Sequence, residues 1–344
     1  MKYQNVRFGS LAYALPEKVV SSEELEQRIA PLYKRLGLHT GRLELMSGIR
    51  TRRFWPQGTR PSHAAVLAGQ KALDACGVNK ADIGVLIHGS VCRDFMEPAT
   101  ASVVHAALDM PRTSLAFDLS NACLGFANAL GVAANMIESG EMKAALVVSG
   151  EDGGPLVEET LAWLNRGEEV TRKDLKAAFS SLTIGSGAVA AVLQHCPNGK
   201  GPRLLGTTAR SATEFNHLCS GDHSEGNSGP LMETDSEALL QAGIHLAEET
   251  FAAFTDEHAV SPTSIDKVIT HQVGSAHRKL LFERLGLDLN KDYSTFPTLG
   301  NVGSVSMPIT LAKAAEDSFI QSSHEVALLG IGSGLACQML HVRW

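Results

Sequence analysis

Long apolar runs, paired cysteines and basic tracts are all missing from this 344-residue sequence. No apolar run approaches the length needed to cross a bilayer, and residues 1–20 lack a signal-peptide pattern. The six cysteines are scattered, without the CxxC spacing of metal sites or the density of a disulfide framework. The net charge of −7 is spread along the chain, which argues against nucleic acid as a partner. We therefore expect a reduced, cytoplasmic protein in which any cysteine chemistry is catalytic rather than structural.

Apolar and small residues are what the sequence has in quantity. A hydrophobic content of 44% with 32 glycines is typical of a compact α/β enzyme with many tight strand–helix turns. The basic stretch 48–53 is expected to be a solvated turn, and the more polar, helical stretch 151–178 an insertion over the surface. Apolar periodicity and capping signals predict helices at 21–35, 62–76 and 98–108, and strands at 3–14, 83–87, 113–119, 144–150 and 184–194.

The second half of the sequence repeats the first. The segment IGVLIH, ending at His88, matches DKVITH, ending at His271, at an offset of 183 residues. The same offset relates CLGFANALGVAAN to SMPITLAKAAEDS and ALVVSG to LLGIGS. Because one register persists through strand, helix and strand, we predict an internal duplication of a βαβ-type half, with parallel strands covered by helices. The Pro/Asn/Gly-rich stretch at 196–201 marks the boundary between two predicted halves, residues 1–197 and residues 198–344.

One cysteine stands at the junction of a predicted strand and a predicted helix. Cys123 opens an apolar, small-residue segment over 123–137, with Ser120 and Asn121 as natural N-caps and Gly140 as the stop. In the first turn of a buried helix, unpaired N–H groups and the helix dipole favour a thiolate. The alternative is that Cys123 is a small core hydrophobe, as most buried cysteines are.

Three further segments end where a cleft between the duplicated halves is expected. A predicted strand delivers His271 at its C-terminal end, where open α/β sheets bind ligands, and the alternative is a hydrogen-bonded core histidine. Asn301 lies between two glycines in a turn before a helix, which alone is a common Asn turn. Ser333, within a Gly-Ser-Gly turn after a strand, and Cys123 offer N–H groups for an oxyanion hole. With Cys123 as nucleophile and His271 and Asn301 as donors or acid/base groups, the set suits acyl transfer from a thioester.

These motifs resemble those of the thiolase-like condensing enzymes, specifically the ketoacyl-ACP synthase III branch, over nearly the full length of the chain. The resemblance implies an α/β thiolase-like fold, with two duplicated halves of βαβαβαββ type whose mixed sheets sandwich, and are covered by, helices. It also implies a homodimer and a Cys-His-Asn site. Asn301 argues against degradative thiolases and elongating ketoacyl synthases, which have other residues at that position. The matching segments are Asn121-Ala122-Cys123-Leu124-Gly125-Phe126, His271-Gln272, Gly300-Asn301-Val302-Gly303-Ser304 and Gly332-Ser333-Gly334.

Departures from the initiating synthases point to a subfamily within this branch. The histidine motif continues as Val273-Gly274 instead of Ala-Asn, and the aromatic and basic clamp, which would fall near Arg42 and Met46, is not kept. Glu97 stands where initiating synthases carry an aromatic residue that reaches into the partner subunit. Glu97, together with residues 210–216, looks like the head-to-head acyl-CoA condensing enzyme of long-chain olefin biosynthesis (OleA type), in which this glutamate comes from the neighbouring subunit and acts as the base. The alternative is a carboxylate that complements a helix dipole.

The resemblance implies an acyltransferase that performs a Claisen condensation through an acyl-cysteine and joins two long-chain acyl-CoAs into a β-ketoacyl product. One alternative is decarboxylative condensation of acyl-CoA with malonyl-ACP, as in a 3-oxoacyl-ACP synthase III of fatty acid biosynthesis. Another is an acyl-CoA thioester hydrolase, since the catalytic residues of papain-like enzymes also occur along the chain in the order Cys, His, Asn. A binding protein without activity is a third. No metal or redox cofactor is expected; the expected partners are acyl-CoA, acyl carrier protein in the alternative, and a second copy of the chain.

Overall fold

The computed structural model describes residues 1–167, 169–196, 198–199, 201–221 and 232–344. Within these ranges the chain forms thirteen strands and twelve α-helices. The strands are β1 (Val6–Ala14), β2 (Lys18–Ser21), β3 (Thr51–Phe54), β4 (Ile83–Gly89), β5 (Leu115–Leu119), β6 (Ala144–Glu151), β7 (Gly187–His195), β8 (Arg203–Ser211), β9 (Cys219–Gly221), β10 (Met232–Thr234), β11 (Lys267–Thr270), β12 (Glu325–Gly332) and β13 (Ala336–Arg343). The helices are α1 (Ser22–Arg28), α2 (Ala30–Arg35), α3 (Arg42–Ser47), α4 (Pro61–Ala75), α5 (Thr100–Ala107), α6 (Gly125–Glu138), α7 (Gly154–Leu164), α8 (Arg172–Ala178), α9 (Ser236–His258), α10 (Ser275–Arg284), α11 (Phe296–Leu299) and α12 (Ser306–Glu316).

Nine strands form one mixed sheet in the order β11-β12-β13-β8-β1-β7-β6-β4-β5. β4 pairs in parallel with β5 and β6, and β11 with β12, while β7, β1, β8 and β13 are antiparallel to their neighbours. A single residue pair, Arg7 with Arg203, joins β1 to β8. The order of the strands on one side of the β1–β8 pair therefore mirrors the order on the other side. Because β6 and most of β7 are buried on both faces, they read in the sequence as unbroken apolar runs.

The predicted duplication is confirmed by this mirrored order. β4 and β11, α6 and α12, and β6 and β12 begin within two residues of the offset of 183. In the first half, β1, α4, β4, α5, β5, α6, β6 and β7 follow the expected βαβαβαββ order. In the second half the counterpart of β5 is reduced to one bridge, between Val268 and Asp292. The division at residues 197 and 198 remains a prediction; β7 ends at His195 and β8 begins at Arg203.

The two equivalent helices, α6 and α12, share a core between the halves. One apolar cluster combines Phe126 and Leu130 of α6 with Ile309 of α12 and with strands from both halves. Burial of Phe126 is complete, and truncating such a side chain to alanine typically destabilises a fold by about 3–5 kcal/mol. The helix also approaches β4 closely, because a Cβ on Gly89 would lie 2.5 Å from the carbonyl oxygen of Gly125. This close approach fixes the beginning of α6 against the end of β4.

Helices cover the outer faces of the sheet. α4 and α5 pack on the first half, and α9 and α10 on the second. The capping box predicted at Ser21 is present, but the helix predicted over 21–35 is divided at Ile29 into α1 and α2. Among the described residues, no helix combines the length and apolarity needed to span a bilayer.

Two segments expected at the solvated surface differ from that expectation. The stretch 151–178 begins inside β6, where Glu151 is 3% exposed, and α7 and α8 bury apolar side chains against α1 and α2. The basic stretch 48–53 contains Arg52, which is fully buried. Its Nη2 donates to Ser22 Oγ at 3.1 Å and to the Leu182 carbonyl at 3.2 Å, and burial lowers the pKa of Arg52 to about 10. Such burial depends on distant partners, which local composition does not show.

Candidate active site

Cys123 lies in a tight turn between β5 and α6. Ala122 adopts a left-handed conformation, with φ of 46°, and the N–H of Leu124 donates to the carbonyl of Asn121 at 2.9 Å. The helix begins at Gly125, so Cys123 precedes α6 instead of occupying its first turn. The predicted N-caps are also wrong, because Leu124 is the N-cap residue and no side chain caps this helix. The Asn121 side chain instead donates to Asn128 Oδ1 at 2.6 Å.

The expected thiolate at Cys123 is not supported either. The residue is half-buried by surface area, but protein atoms surround its sulfur. Desolvation, followed by the charge of Glu151, raises the pKa of Cys123 to about 12. The N–H groups of the turn do not offset that cost. Cys123 is therefore a neutral thiol near pH 7, and its attack on a thioester requires a proton acceptor.

His271 is placed to be a neutral acid/base group. It directly follows β11, is 4% exposed, and its backbone N–H donates to the Leu329 carbonyl at 2.8 Å. Burial, and secondarily the nearby His277, lowers the pKa of His271 to about 3. Its Nδ1 has no hydrogen-bond partner among the described residues, and the residue lines a small cavity whose other lining side chains are mainly apolar. An uncharged imidazole can accept a proton from a thiol or donate a hydrogen bond to an oxyanion.

Asn301 is held in a defined orientation by its loop. Its backbone N–H donates to the Thr183 carbonyl at 2.9 Å, and its own carbonyl accepts from the Gly185 N–H at 2.8 Å. The Asn301 Oδ1 accepts from the N–H of Gly303 at 3.1 Å, so its Nδ2 remains available as a donor. The left-handed conformations of the motif fall on Gly300 and Gly303. The left-handed turns of this motif therefore do not require Asn301, and its side-chain amide is held by the hydrogen bond from Gly303.

The Gly332-Ser333-Gly334 turn lies directly against the nucleophile. A Cβ on Gly332 would be 3.5 Å from the backbone nitrogen of Cys123 and 3.4 Å from that of Leu124. The structure thus brings together two motifs that are more than two hundred residues apart in the sequence. Backbone N–H groups from the two turns can converge on one oxygen, as the predicted oxyanion hole of Cys123 and Ser333 requires.

Glu97 is the predicted site residue that lies exposed at the surface of the single chain. It lies in the exposed tip 95–98 of the loop between β4 and α5. The side chain of Met96 next to it is 99% exposed. Among the described residues, no hydrogen bond or ion pair links Glu97 to Cys123, His271 or Asn301, and none links Cys123 to His271 or Asn301.

Two polar groups, the buried Glu151 and the partly buried Asn128, escaped the prediction from sequence. The Glu151 carboxylate accepts hydrogen bonds from the loop that precedes Glu97 and from Ser304 in the Asn301 motif. Behind Cys123, Asn128 on α6 bonds both Asn121 and Gln338 of β13, and so crosses from one half to the other. The available signal for Glu151 was a carboxylate at the end of an otherwise apolar strand, which marks a buried charge. No group of side chains suited to hold a metal ion occurs in the described part of the chain.

Comparison with known proteins defines the class of this enzyme. Residues 117–213 match the family described as 3-oxoacyl-[acyl-carrier-protein (ACP)] synthase III, and residues 255–344 match that family's C-terminal part. The chain belongs to the 3-oxoacyl-ACP synthase III family of thiolase-like condensing enzymes, which are acyltransferases. The predicted family and fold class are thereby confirmed.

Within this family the chain is similar to acyl-CoA:acyl-CoA alkyltransferases. It is 39% identical to the protein of that name from Shewanella oneidensis and 38% identical to that from Xanthomonas campestris, in each case over 100% of both chains. A crystal structure of X. campestris OleA matches with a TM-score of 0.95 at 38% identity, over 100% of this chain and 98% of that one. A cysteine-to-serine variant of the same protein, with bound lauric acid and lauroyl-CoA, matches with a TM-score of 0.94 at 38% identity, over 99% of this chain and 100% of that one. The resemblance to the OleA type is therefore confirmed.

Proposed function

We propose that this enzyme joins two long-chain acyl-CoAs head to head through an acyl-Cys123 intermediate. The observation that carries the proposal is the contact between the Cys123 turn and the Gly332-Ser333-Gly334 turn, which sets a nucleophile beside backbone donors. The full-length similarity to acyl-CoA:acyl-CoA alkyltransferases supports this choice of substrates. It favours neither decarboxylative condensation with malonyl-ACP nor thioester hydrolysis.

The first half-reaction transfers an acyl group to the enzyme. The Cys123 sulfur attacks the thioester carbonyl, His271 accepts the thiol proton, and the N–H groups of Cys123 and Ser333 hold the developing oxyanion. The bond between the carbonyl carbon and the sulfur of CoA breaks, and the proton passes to the departing thiolate. Acyl-Cys123 and free CoA are the products. The neutral state of His271 in the free enzyme supports its role as the proton acceptor.

The second half-reaction forms the carbon–carbon bond. The thioester oxygen of a second acyl-CoA accepts hydrogen bonds from His271 and from the Nδ2 of Asn301, which stabilises an enolate. Glu97 of the partner subunit removes the α-proton. The carbanion attacks the carbonyl of acyl-Cys123, the carbon–sulfur bond to the enzyme breaks, and the Cys123 sulfur regains a proton. The product is a β-ketoacyl-CoA.

A homodimer is part of this proposal, because Glu97 needs a partner's site. β5 is an edge strand whose Leu115 is 52% exposed, and Met96 protrudes beside Glu97. Unpaired strand edges and exposed apolar side chains are features that a second copy covers. The cytoplasmic location, a place in fatty acid or lipid metabolism and the use of acyl carrier protein as a donor remain predictions.

The reaction is tested with myristoyl-CoA as the only substrate. We expect CoA release and a β-keto product without malonate, detected by mass spectrometry after reduction or methanolysis. Cys123→Ala should form no acyl-enzyme, whereas Glu97→Ala should form it and stop there. A requirement for malonyl-ACP, or free acid as the sole product, would show that the proposed reaction is wrong.

The action of Glu97 across the dimer is tested with mixed subunits. Cys123→Ala and Glu97→Ala subunits are each inactive in condensation, but in a mixed dimer the intact Cys123 of one subunit faces the intact Glu97 of the other. Random mixing should therefore restore about a quarter of the wild-type activity, since half the dimers are mixed and each has one complete site. If Glu97 served its own subunit's site, mixing would restore nothing.

A further inference from the structure

Glu151 is a buried carboxylate to which the reaction outlined above gives no role. It is the last residue of β6 and is 3% exposed. Its Oε1 accepts from the Val91 N–H at 2.9 Å, from the Ser304 N–H at 3.3 Å and from the Ser304 hydroxyl at 2.5 Å. Its Oε2 accepts from the Cys92 N–H at 3.0 Å. One side chain thus receives four hydrogen bonds from two separate segments.

The first of these segments is the base of the loop that carries Glu97. Beyond its bonds to Glu151, Cys92 is held by the Ser90 hydroxyl, which donates to its carbonyl at 2.5 Å. Two residues later, the Asp94 carboxylate accepts from the N–H and hydroxyl of Ser62, at 2.8 and 2.5 Å. The loop is therefore rigidly fixed up to Asp94, and only its tip projects from the chain.

The second segment is the motif that carries Asn301. Ser304 ends this motif, three residues after Asn301, and its hydroxyl also contacts that of Ser149 at 2.8 Å. Gly303 lies so close that a Cβ there would be 3.3 Å from the carboxyl carbon of Glu151. Because Gly303 also donates to the Asn301 side chain, the carboxylate is two contacts away from the amide that faces substrate.

We propose that Glu151 is a positioning residue that joins the Glu97 loop to the Asn301 loop, so that each subunit aligns an amide in its own site and a base in its partner's site. This inference rests on the proposed function for the roles of Asn301 and Glu97. Both groups act in the condensation step, so Glu151 serves that step and not the acylation of Cys123.

The chemistry of the site explains why a carboxylate is used. An ionised carboxylate is purely an acceptor and has room for all four donors, whereas an amide would turn its own NH₂ toward a backbone N–H. Burial raises the pKa of Glu151, and the hydrogen bonds from Ser304, Val91 and Cys92 oppose that shift. The charge has a second effect, because it is the largest charge contribution that raises the pKa of Cys123. Among the described residues, the groups whose charge acts on the pKa of Cys123 are Glu151 and Cys219, and His271 faces Cys123 in the proposed mechanism.

Two substitutions separate the shape of this side chain from its charge. Glu151→Gln keeps the reach and removes the charge, whereas Glu151→Asp keeps the charge and shortens the reach. Glu159→Gln, an exposed position on α7, is the matched control for the loss of one negative charge. Acylation is measured as the appearance of acyl-enzyme by intact-protein mass spectrometry, condensation as β-keto product, and folding by circular dichroism and thermal unfolding.

We expect both Glu151 variants to lose at least tenfold in condensation while acylation stays within threefold of the wild type or rises. The pH dependence of Cys123 alkylation should shift to lower pH in Glu151→Gln but not in Glu151→Asp or Glu159→Gln. A merely structural defect would not produce this difference among the variants. Equal loss of acylation and condensation, or condensation unchanged in Glu151→Gln, would overturn the proposal. If Glu151→Gln does not fold, Ser304→Ala removes the shortest of the four bonds and should lower condensation alone in the same way.

Mixed dimers provide the decisive comparison. A dimer of one Glu97→Ala and one wild-type subunit keeps one complete site and should retain half the activity. A dimer of one Glu151→Gln and one wild-type subunit should retain well under half, because the variant disturbs Asn301 in one site and Glu97 in the other. Retention of half the activity by the second dimer would overturn the joining role. If Glu97→Ala itself condenses like the wild type, the proposed function fails, and this result is distinct from a failure of Glu151 alone.

Discussion

The rate at which alkylating agents modify Cys123 in the free enzyme should be limited by the small fraction of its thiol that is ionised. Burial and the charge of Glu151 raise its pKa to about 12. An ordinary cysteine, with a pKa of about 8.5, is about 3% ionised near pH 7, whereas a group with a pKa of about 12 is ionised in about one molecule in 10⁵. The difference is about three and a half orders of magnitude in the thiolate fraction, equivalent to about 5 kcal/mol.

The assay is alkylation by iodoacetamide, followed as the modified Cys123 peptide by mass spectrometry. An unstructured peptide spanning residues 117–128 is the reference thiol. We expect the rate for the enzyme to be at least a hundredfold below that of the peptide near pH 7 and to rise about tenfold per pH unit up to about pH 10. A rate that levels off below about pH 9, or that matches the peptide at neutral pH, would refute the conclusion that Cys123 is a neutral thiol.

Acylation gives an independent view of the same point. If the thiol is neutral, His271 has to accept its proton during attack, so His271→Ala should slow acylation about 10²- to 10⁴-fold near pH 7. The defect should shrink near pH 10, where hydroxide performs the deprotonation. A defect that is the same at both pH values would assign His271 a role in binding instead.

Two further predictions concern the stability of the fold. Gly89→Ala should lower the free energy of unfolding by about 3 kcal/mol in urea denaturation, because the new Cβ would lie 2.5 Å from the Gly125 carbonyl oxygen. Gly140 has a φ of 81° but no neighbour within 4 Å of an added Cβ, so Gly140→Ala should cost only about 1–2 kcal/mol. Equal losses in the two variants would contradict the packing argument. His88 and His277 have pKa values lowered to about 4 by burial, so the unfolded chain binds protons that the folded chain does not. Stability should therefore be complete above about pH 6.5 and fall as the pH drops toward 4, by about 2 kcal/mol per histidine at about pH 5. Urea midpoints measured near neutral pH and near pH 5 test this prediction, and the fall in midpoint between the two pH values should be smaller for His88→Gln than for the wild type. Identical midpoints at the two pH values would show that these histidines are not buried in the neutral form.

The duplicated architecture was predictable because its signals are local. Buried strands such as β4 and β6 are continuous apolar runs, and the same run recurs 183 residues later with its helix in between. The positions of His271 and the Gly332 turn at the ends of strands were predictable for the same reason, since each strand is a buried apolar run. The turn around Cys123 was not, because a left-handed Ala122 delays the helix, and alanine carries no sequence signal for that conformation.

Buried charges were the main feature that the sequence could not place. Arg52 appears within a basic stretch but is buried, with its Nη2 bonded to Ser22 and the Leu182 carbonyl from elsewhere in the chain and its Nε and Nη1 without partners among the described residues. Glu151 likewise needs donors from residues 91–92 and 304. Local composition favours the surface for both residues, and tertiary partners decide otherwise.

In the second half, the counterpart of β5 is reduced to a single bridge at Val268, so the two edges of the sheet differ. A sheet with an unpaired strand at both edges could pair with a further copy at each edge and grow into a fibre. Here the far edge is the four-residue β11, beside which Val268 bridges to Asp292, while the near edge is the five-residue β5. Pairing of two copies through β5 about a twofold axis, as one form of the proposed homodimer, would use up that edge in a single event and leave β11, not β5, as the edge at each end of the assembly.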